Sequence, residues 1–275
     1  MASNFQNNPN LYLKDGIYFA KEQSAISYPE EGNQECFQLE DNSFWFRHRN
    51  NCIAALVEKF SKDEVFFDIG GGNGFFSAML QQKGFESVLV EPGIAGCVNA
   101  KKRGVQSVIC STLSDAKFEK NSIDNIGLFD VVEHIDDHIE FLTENYEYLK
   151  KGGKIYITVP ALQILFSEED VYAGHFRRYT VAQMAGILEK IGFKIKYKTY
   201  FFTFLPIPLL LLNAIPYRMG LKKKKKEDHY ANRHSLGDGF VSRILNKILR
   251  FESNRIKNLK TMSLGSSCLI VAEKK

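Results

Sequence analysis

The chain has 275 residues and a formal net charge of +4, a length that suits one sizeable domain with an appendage. Its positive charge is concentrated locally, so the composition does not indicate a general nucleic-acid surface and we expect no nucleic-acid partner. Five cysteines without Cys-x-x-Cys spacing indicate a reduced, cytoplasmic protein. The first ten residues, MASNFQNNPN, contain no secretory signal.

Residues 1–43 are weakly patterned, and we predict an N-terminal segment that is partly disordered. An amphipathic helix follows, because Ile53, Leu56 and Phe60 recur at helical spacing. The pattern leaves open whether Trp45, at the start of this helix, covers a ligand cleft or fills the core.

A glycine-rich turn follows the first predicted strand, in Val65 to Ser77, VFFDIGGGNGFFS. Gly70, Gly72 and Gly74 permit positive φ angles and a close approach of a ligand to the backbone. The dinucleotide fingerprint Gly-x-Gly-x-x-Gly fails here, because Phe75 stands where its third glycine is needed. A nicotinamide cofactor is therefore disfavoured.

Strands and helices then alternate. The pattern predicts strands at 65–69, 87–91 and 106–110 with helices at 74–83 and 94–103, which is typical of a doubly wound α/β fold with a parallel sheet. Such sheets bind ligands at the carboxyl ends of their strands. Glu91 closes the second strand, where its carboxylate can accept hydrogen bonds from both hydroxyls of a ribose.

The spacing of Asp68, the three glycines and Glu91 resembles that of class I S-adenosylmethionine (SAM) dependent methyltransferases. A DVxEHI…VPA…GHxRRYT pattern strengthens the resemblance, which covers most of residues 44–203. It implies a Rossmann-like, seven-stranded sheet with an antiparallel last strand and SAM as cofactor. The SAM-binding core would comprise 44–203 and 263–275, with 204–262 as an apolar and basic insertion.

The resemblance also assigns the remaining cofactor residues. Members of the family usually place an acidic residue on the adenine amino group after the third strand, but this chain has Thr112 there, followed by Leu113. The Thr112 hydroxyl can still accept a hydrogen bond, and Leu113 can offer a backbone N–H and an apolar lid. Asp130, at the end of the fourth strand, completes the predicted set.

Glu133, His134 and His175 are the predicted catalytic residues, because an imidazole titrates near neutral pH and can act as general base. Asp130, Glu133, His134 and His175 also resemble the metal ligands of metal-dependent O-methyltransferases, among them ubiquinone-pathway and small-RNA 2′-O-methyltransferases. We favour the plain base, because Asp130 stands where a glutamate is usual. A third interpretation is that Glu133 and His134 only cap a helix.

Arg177, Arg178 and Tyr179 are predicted to contact the substrate, where the arginines would bind an anionic group. The alternative is that these arginines pair with the acidic residues at 168–170. The sequence alone favours neither.

The stretch from Phe201 to Pro216 is strongly apolar but shorter than the roughly 20 residues of a membrane span. Five lysines, Lys222 to Lys226, follow, and the combination suits the interface of an anionic membrane. A lid or dimer contact is the alternative. The helical pattern at 240–251 predicts an amphipathic helix with basic residues on its polar side.

These patterns together predict a methyltransferase that acts on a small or lipid-linked acceptor, with a hydroxyl as the favoured target. The protein would be cytoplasmic and able to associate with a membrane. The alternative is a catalytically silent SAM-binding scaffold that acts through residues 204–262. A divalent metal cofactor remains an open option.

Overall fold

The computed structural model describes residues 4–22, 37, 40–41, 43–61, 64–221 and 239–275. The lysine run at 222–226 therefore lies outside the described residues. Within them, one mixed sheet contains nine strands: β1 (Leu11–Lys14), β2 (Ile17–Ala20), β3 (Phe66–Ile69), β4 (Ser87–Val90), β5 (Ser107–Cys110), β6 (Ile123–Phe129), β7 (Leu149–Pro160), β8 (Phe193–Phe201) and β9 (Ser267–Lys274).

The strand order is β1-β2-β5-β4-β3-β6-β7-β9-β8. Strands β3 to β7 run parallel to their neighbours among themselves, while β9 lies antiparallel between β7 and β8. The predicted doubly wound α/β core with an antiparallel last strand is confirmed.

The α-helices of the described residues are α1 (Phe44–Phe60), α2 (Phe75–Gln82), α3 (Ile94–Lys102), α4 (His138–Tyr148), α5 (Glu168–Ala173), α6 (Val181–Ile191), α7 (Pro206–Leu209), α8 (Ile215–Arg218) and α9 (Phe240–Lys257). A π-helix, Leu210–Ala214, joins α7 to α8. Short 3₁₀ turns cover Asn4–Asn7, Val132–His134 and Gln163–Leu165. None of the described helices is long and apolar enough to span a lipid bilayer.

The predicted count of seven strands is wrong, because β1 and β2 extend the sheet at one edge. They form an antiparallel hairpin whose turn residues, Asp15 and Gly16, have φ angles of +51° and +75°. Tyr18 and Phe19 of β2 then pair in parallel with β5. An Asp-Gly pair between two apolar stretches is a strong hairpin signal, so this hairpin is visible in the sequence.

Helices cover both faces of the sheet because successive strand residues point to opposite sides. Phe66 belongs to the apolar cluster that α1 and α2 build with Leu56 and Leu80. Phe67 belongs to the opposite cluster, which includes Met184 of α6. The sheet is thus buried on both faces, as parallel sheets generally are.

Between β8 and β9 the chain leaves the sheet, and α9 packs against α1. Glu252 of α9 is fully buried and accepts hydrogen bonds from the backbone N–H of Phe202 and of Thr203, at 3.0 and 2.6 Å. His48 Nε2 of α1 lies 2.9 Å from the same carboxylate. Although burial opposes ionisation, the hydrogen bonds from His48 and Thr203 lower the pKa of Glu252.

We expect Glu252→Ala to lower the free energy of unfolding by about 3 kcal/mol, because it leaves several buried donors without an acceptor. Urea denaturation would measure the loss. Glu58→Ala is the matched control, since Glu58 pairs with Lys83 at the surface and such pairs contribute at most about 1 kcal/mol. Equal losses in the two variants would contradict the assigned role of Glu252.

Candidate active site at the carboxyl edge of the sheet

The glycine turn lies between β3 and α2 and has the left-handed backbone expected from the sequence. Gly70, Gly72 and Gly74 have φ angles of +65°, +53° and +71°. A Cβ atom at Gly70 would lie 2.9 Å from Val131 Cγ2, closer than van der Waals contact allows. The turn therefore requires glycine for its backbone conformation and for its packing.

Glu91 lies against this turn and is held there by backbone donors. Its two carboxylate oxygens accept hydrogen bonds from the N–H groups of Gly72, at 2.9 Å, and Gly93, at 2.8 Å. Burial raises the pKa of Glu91, while these two hydrogen bonds oppose that effect. Each oxygen keeps a further acceptor position, so the carboxylate is oriented in advance for a second pair of donors.

Asp68, at the end of β3, is buried beneath the turn. Its Oδ2 accepts a hydrogen bond from Ser77 Oγ at 2.8 Å, and its Oδ1 has no hydrogen-bond partner among the described residues. Burial raises the pKa of Asp68 to about 6. An unpartnered buried oxygen at this position is consistent with an acceptor that serves a bound cofactor.

Thr112 and Leu113 follow β5 at the same edge of the sheet. The Thr112 hydroxyl oxygen accepts a hydrogen bond from the backbone N–H of Asp115 at 3.0 Å. The side chain of Leu113 is buried in the apolar core. Both side chains thus have local structural partners, and their contact with an adenine ring stays a prediction.

Asp130 follows β6 in a left-handed conformation, with a φ angle of +58°. Its Oδ2 lies 2.6 Å from Nη1 of Arg49 on α1, and its Oδ1 accepts a hydrogen bond from Thr158 at 3.2 Å. The Arg49 guanidinium also lies 5.1 Å from the centre of the Trp45 ring. Asp130 therefore joins α1 to the end of the sheet, and its predicted cofactor contact remains untested.

Glu133, His134 and His175 converge, as the sequence predicted, into what we call the Glu-His cluster. One ligand atom from each of the three lies within 4.8 Å of the others, and the two imidazole rings are 4.7 Å apart between centres. Glu133 is fully buried, and neither oxygen accepts a hydrogen bond from another described residue.

Burial shifts the pKa values of two members of the Glu-His cluster towards their neutral forms. Burial, with a contribution from the Asp130 carboxylate, raises the pKa of Glu133 well above its usual range. Burial, together with His175, lowers the pKa of His134 to about 4. A neutral imidazole keeps an unshared electron pair on one ring nitrogen, so His134 can accept a proton or bind a metal ion.

His175 is oriented by Asp170, which the sequence offered only as a possible partner of the two arginines. His175 Nδ1 lies 2.9 Å from Asp170 Oδ1, and Arg178 donates from Nε and Nη2 to the two oxygens of the same carboxylate, at 2.8 and 2.9 Å. Although burial opposes ionisation, the hydrogen bonds from His175 and Arg178 lower the pKa of Asp170 to about 2. Asp170 also forms a capping box with Ser167, a signal visible in the sequence.

The three predicted substrate residues lie together but have partners within the protein. Arg177 donates to the carbonyl oxygens of Ile135 and Asp136, at 3.1 and 2.9 Å, and pairs with the Asp136 carboxylate at 3.2 Å. A surface cavity of about 310 Å³ is lined by His138, Gln163, Arg177, Arg178, Tyr179, Gln183 and Ile187. The arginines therefore hold the loop around His175, and contact with a substrate stays a prediction.

Comparison with known proteins gives a family match over residues 45–198, to the model described as a methyltransferase domain. A probable S-adenosylmethionine-dependent methyltransferase from Mycolicibacterium smegmatis is 22% identical over 172 residues, which cover 61% of this chain and 66% of that protein. The chain thus spans slightly less than two thirds of the length of that curated relative.

Two solved structures show the same fold. A SAM-dependent methyltransferase from Thermotoga maritima, described as a possible histamine N-methyltransferase, has a TM-score of 0.56 at 17% identity, covering 89% of this chain and 96% of that one. Phosphoethanolamine N-methyltransferase 2 from Haemonchus contortus, solved with S-adenosyl-L-methionine, has a TM-score of 0.56 at 18% identity, covering 94% of this chain and 61% of that one. At this identity the likeness concerns the fold.

We expect Asp170→Asn to lower the free energy of unfolding at pH 7 by about 2 to 4 kcal/mol, because the ionised acceptor of His175 and Arg178 is lost. The folded-state pKa of Asp170 lies below its unfolded value of 3.8. Its contribution is therefore present above pH 4 and lost as the pH falls towards 2.

Urea denaturation at several pH values would measure this difference. Asp124→Asn is the matched control, because Asp124 pairs with Lys150 at the surface and should change stability by less than about 1 kcal/mol. A difference between wild type and Asp170→Asn that stays constant from pH 7 to pH 2 would show that the ionised carboxylate does not stabilise the fold.

Proposed function

This chain belongs to the methyltransferase-domain family, its residues 45–198 form a SAM-dependent methyltransferase domain, and we propose that it methylates a hydroxyl group of a small or lipid-linked acceptor. The observation that supports a hydroxyl as the methyl acceptor is His175, an imidazole oriented by an ionised carboxylate. Removing a proton is the part of methyl transfer to a hydroxyl that a protein must supply.

The cofactor supplies a methyl group on a sulfonium, which is already a strong electrophile. Glu91 is positioned to bind the ribose, since its carboxylate is fixed by Gly72 and Gly93 and retains two acceptor positions. Asp68 offers a buried, unpartnered oxygen beneath the same turn. These features support SAM as the ligand of the glycine turn. The protein's remaining task is to align the acceptor with the methyl group.

His175 is the best-supported general base. Since Asp170 is ionised and offers only acceptors, His175 must carry its proton on Nδ1, facing Asp170 Oδ1. In the neutral imidazole the unshared electron pair then lies on Nε2, which is the atom that would take the proton of the acceptor hydroxyl. Asp170 acts as a positioning residue, as the third member of nucleophile–base–acid arrangements does.

The cavity beside Arg177 supports a second part of the proposal. It adjoins the loop that carries His175 and brings together Arg177, Arg178 and Tyr179. A guanidinium that already bonds carbonyl oxygens and a carboxylate has limited capacity for another anion. We therefore propose that these residues shape the acceptor site and fix the loop, with any anionic contact secondary.

The Glu-His cluster also fits a divalent cation, and Glu133 is the residue that supports this second candidate. One carboxylate oxygen and two imidazole nitrogens lie within reach of a single ion, and Glu133 lacks another partner among the described residues. Asp130, the fourth ligand implied by the family resemblance, is instead bound to Arg49. A bound cation would lower the pKa of the acceptor hydroxyl.

Incubation with radiolabelled SAM and fractionated cell and lipid extracts would test the proposed activity. We expect label in a methyl ether or other O-methylated product. SAM binding without any labelled product would favour the silent scaffold over the enzyme, and label confined to amines would contradict the hydroxyl acceptor.

For the cofactor site, we expect Glu91→Ala to weaken SAM binding at least tenfold, because each charge-assisted hydrogen bond contributes about 1.5 to 3 kcal/mol. Gly72→Val should abolish binding, since it adds a branched side chain at a positive φ angle. Isothermal titration calorimetry measures both affinities. Glu189→Ala, on the exposed side of α6, is the control, and unchanged affinity in the two site variants would contradict the assignment.

For the chemistry, we expect EDTA to leave turnover unchanged and the rate to rise with pH, as general-base catalysis requires. His175→Ala should lower kcat by roughly 100-fold or more while SAM affinity stays within a factor of two. Chelator-sensitive turnover that Mg²⁺, Mn²⁺ or Zn²⁺ restores would instead establish the cation bound by the Glu-His cluster.

A further inference from the structure

Residues 206–221 present an exposed apolar surface, which we call the insertion surface. They comprise α7, the π-helix and α8 in one continuous helical run, followed by a short turn. Five large apolar side chains in this run are more than half exposed: Ile207, Leu211, Leu212, Met219 and Leu221. Single exposed apolar residues are ordinary, but a contiguous group of this kind marks an interaction site.

The insertion surface is fixed to the loop region of the candidate active site. Asn213 of the π-helix donates a hydrogen bond to Glu169 of α5 at 2.9 Å, and Arg218 donates to the carbonyl oxygen of Ile164 at 2.5 Å. The 3₁₀ turn Gln163–Leu165 and helix α5, which these bonds join to the insertion surface, carry three further exposed apolar residues: Ile164, Val171 and Tyr172. The exposed apolar group thus continues from the insertion onto α5, the helix that holds Asp170.

Charge is strongly segregated between the insertion and the rest of the chain. Residues 204–262 contain 13 of the 36 lysines and arginines but only 4 of the 32 aspartates and glutamates. Within 204–221 and 239–262 the one acidic residue is Glu252, which is fully buried. Arg243, Lys247 and Arg250 of α9 are exposed, and Lys222 to Lys226 directly follow the insertion surface in the sequence.

We propose that the insertion surface docks on an anionic lipid membrane, with its apolar side chains in the interface and the net positive charge of residues 204–262 attracted to the lipid head groups. Apolar side chains and adjacent basic residues are the pairing that such an interface accepts. A second copy of the chain would bring like charges together, which disfavours self-association. A nucleic acid would accept the lysines but offers no apolar phase for Leu211 and Leu212.

Docking in this way places the loop that carries His175 at the membrane surface, because α5 and the insertion surface are joined. This step rests on the proposed function: the acceptor would be a hydroxyl compound held in the membrane. The docking itself does not depend on catalysis and can be tested without it.

Co-sedimentation of the full chain with lipid vesicles tests the docking. We expect binding to phosphatidylcholine vesicles that contain phosphatidylglycerol, and at least tenfold weaker binding to pure phosphatidylcholine. Raising the salt from about 0.1 M to about 1 M should also weaken binding, because the screening length falls from about 10 to 3 Å. Replacing Lys222 to Lys226 by glutamine should reduce the partition coefficient at least about tenfold.

The apolar contribution requires a separate variant with a matched control. Leu211→Ser combined with Leu212→Ser should lower the partition coefficient at least about tenfold. Leu13→Ser combined with Ile139→Ser is the control, since both residues are similarly exposed and neither belongs to the insertion. Circular dichroism would verify that each variant folds, and the comparison of lipids and salt on the wild type needs no variant.

Equal binding to neutral and anionic vesicles, no binding to either, or an unchanged partition of the Leu211 and Leu212 variant would overturn the proposal. Binding of an oligoribonucleotide without binding of anionic vesicles would also overturn it and assign the lysines to nucleic acid. Vesicle binding without methyl transfer to any lipid would contradict the proposed function and leave the docking surface established.

Discussion

The ion pair between Arg49 and Asp130 determines how the site is arranged, because it joins the leading helix to the end of the central strand β6. Trp45 and Phe46 stack on the guanidinium, so the charge pair is shielded from water and its Coulomb attraction is strengthened. With Asp130 bound to Arg49, the adjacent Glu133 accepts no hydrogen bond from another described residue, and burial raises its pKa well above the usual range. The chemistry of the Glu-His cluster follows from this division of the two carboxylates.

The parts of the structure that depend on local pattern could be predicted from the sequence. The glycine turn could be predicted because three closely spaced glycines, Gly70, Gly72 and Gly74, indicate a backbone with positive φ angles. The core strands could be predicted because the strands of a buried parallel sheet are continuous apolar runs. The convergence of Glu133, His134 and His175 followed from a topological rule, since the carboxyl ends of parallel strands meet at one edge.

Pairings across long sequence distances could not be predicted in this way. Nothing around Arg49 indicates a carboxylate 81 residues away, and nothing around Glu252 indicates that its partner is His48. The hairpin of β1 and β2 is a different case, because the pair Asp15 and Gly16 is a hairpin-turn signal that is visible in the sequence. The charge of Arg178 alone could not identify its partner, because a guanidinium binds a substrate anion and an internal carboxylate equally well. In the structure Arg178 pairs with the buried carboxylate of Asp170.

The segment between β8 and β9 begins and ends at neighbouring positions of the sheet. Phe201, the last residue of β8, lies opposite Ser267, the first residue of β9. The segment between these two residues therefore leaves the sheet and returns to it at adjacent positions. Lengthening a loop whose ends already lie close together costs little additional entropy. The sheet sets no limit on the length or content of that segment. Its described contacts include those with α1, whose His48 holds the returning helix, and with α5, which Asn213 contacts. New material can therefore be accommodated elsewhere in this segment while the carboxyl edge of the sheet keeps its geometry.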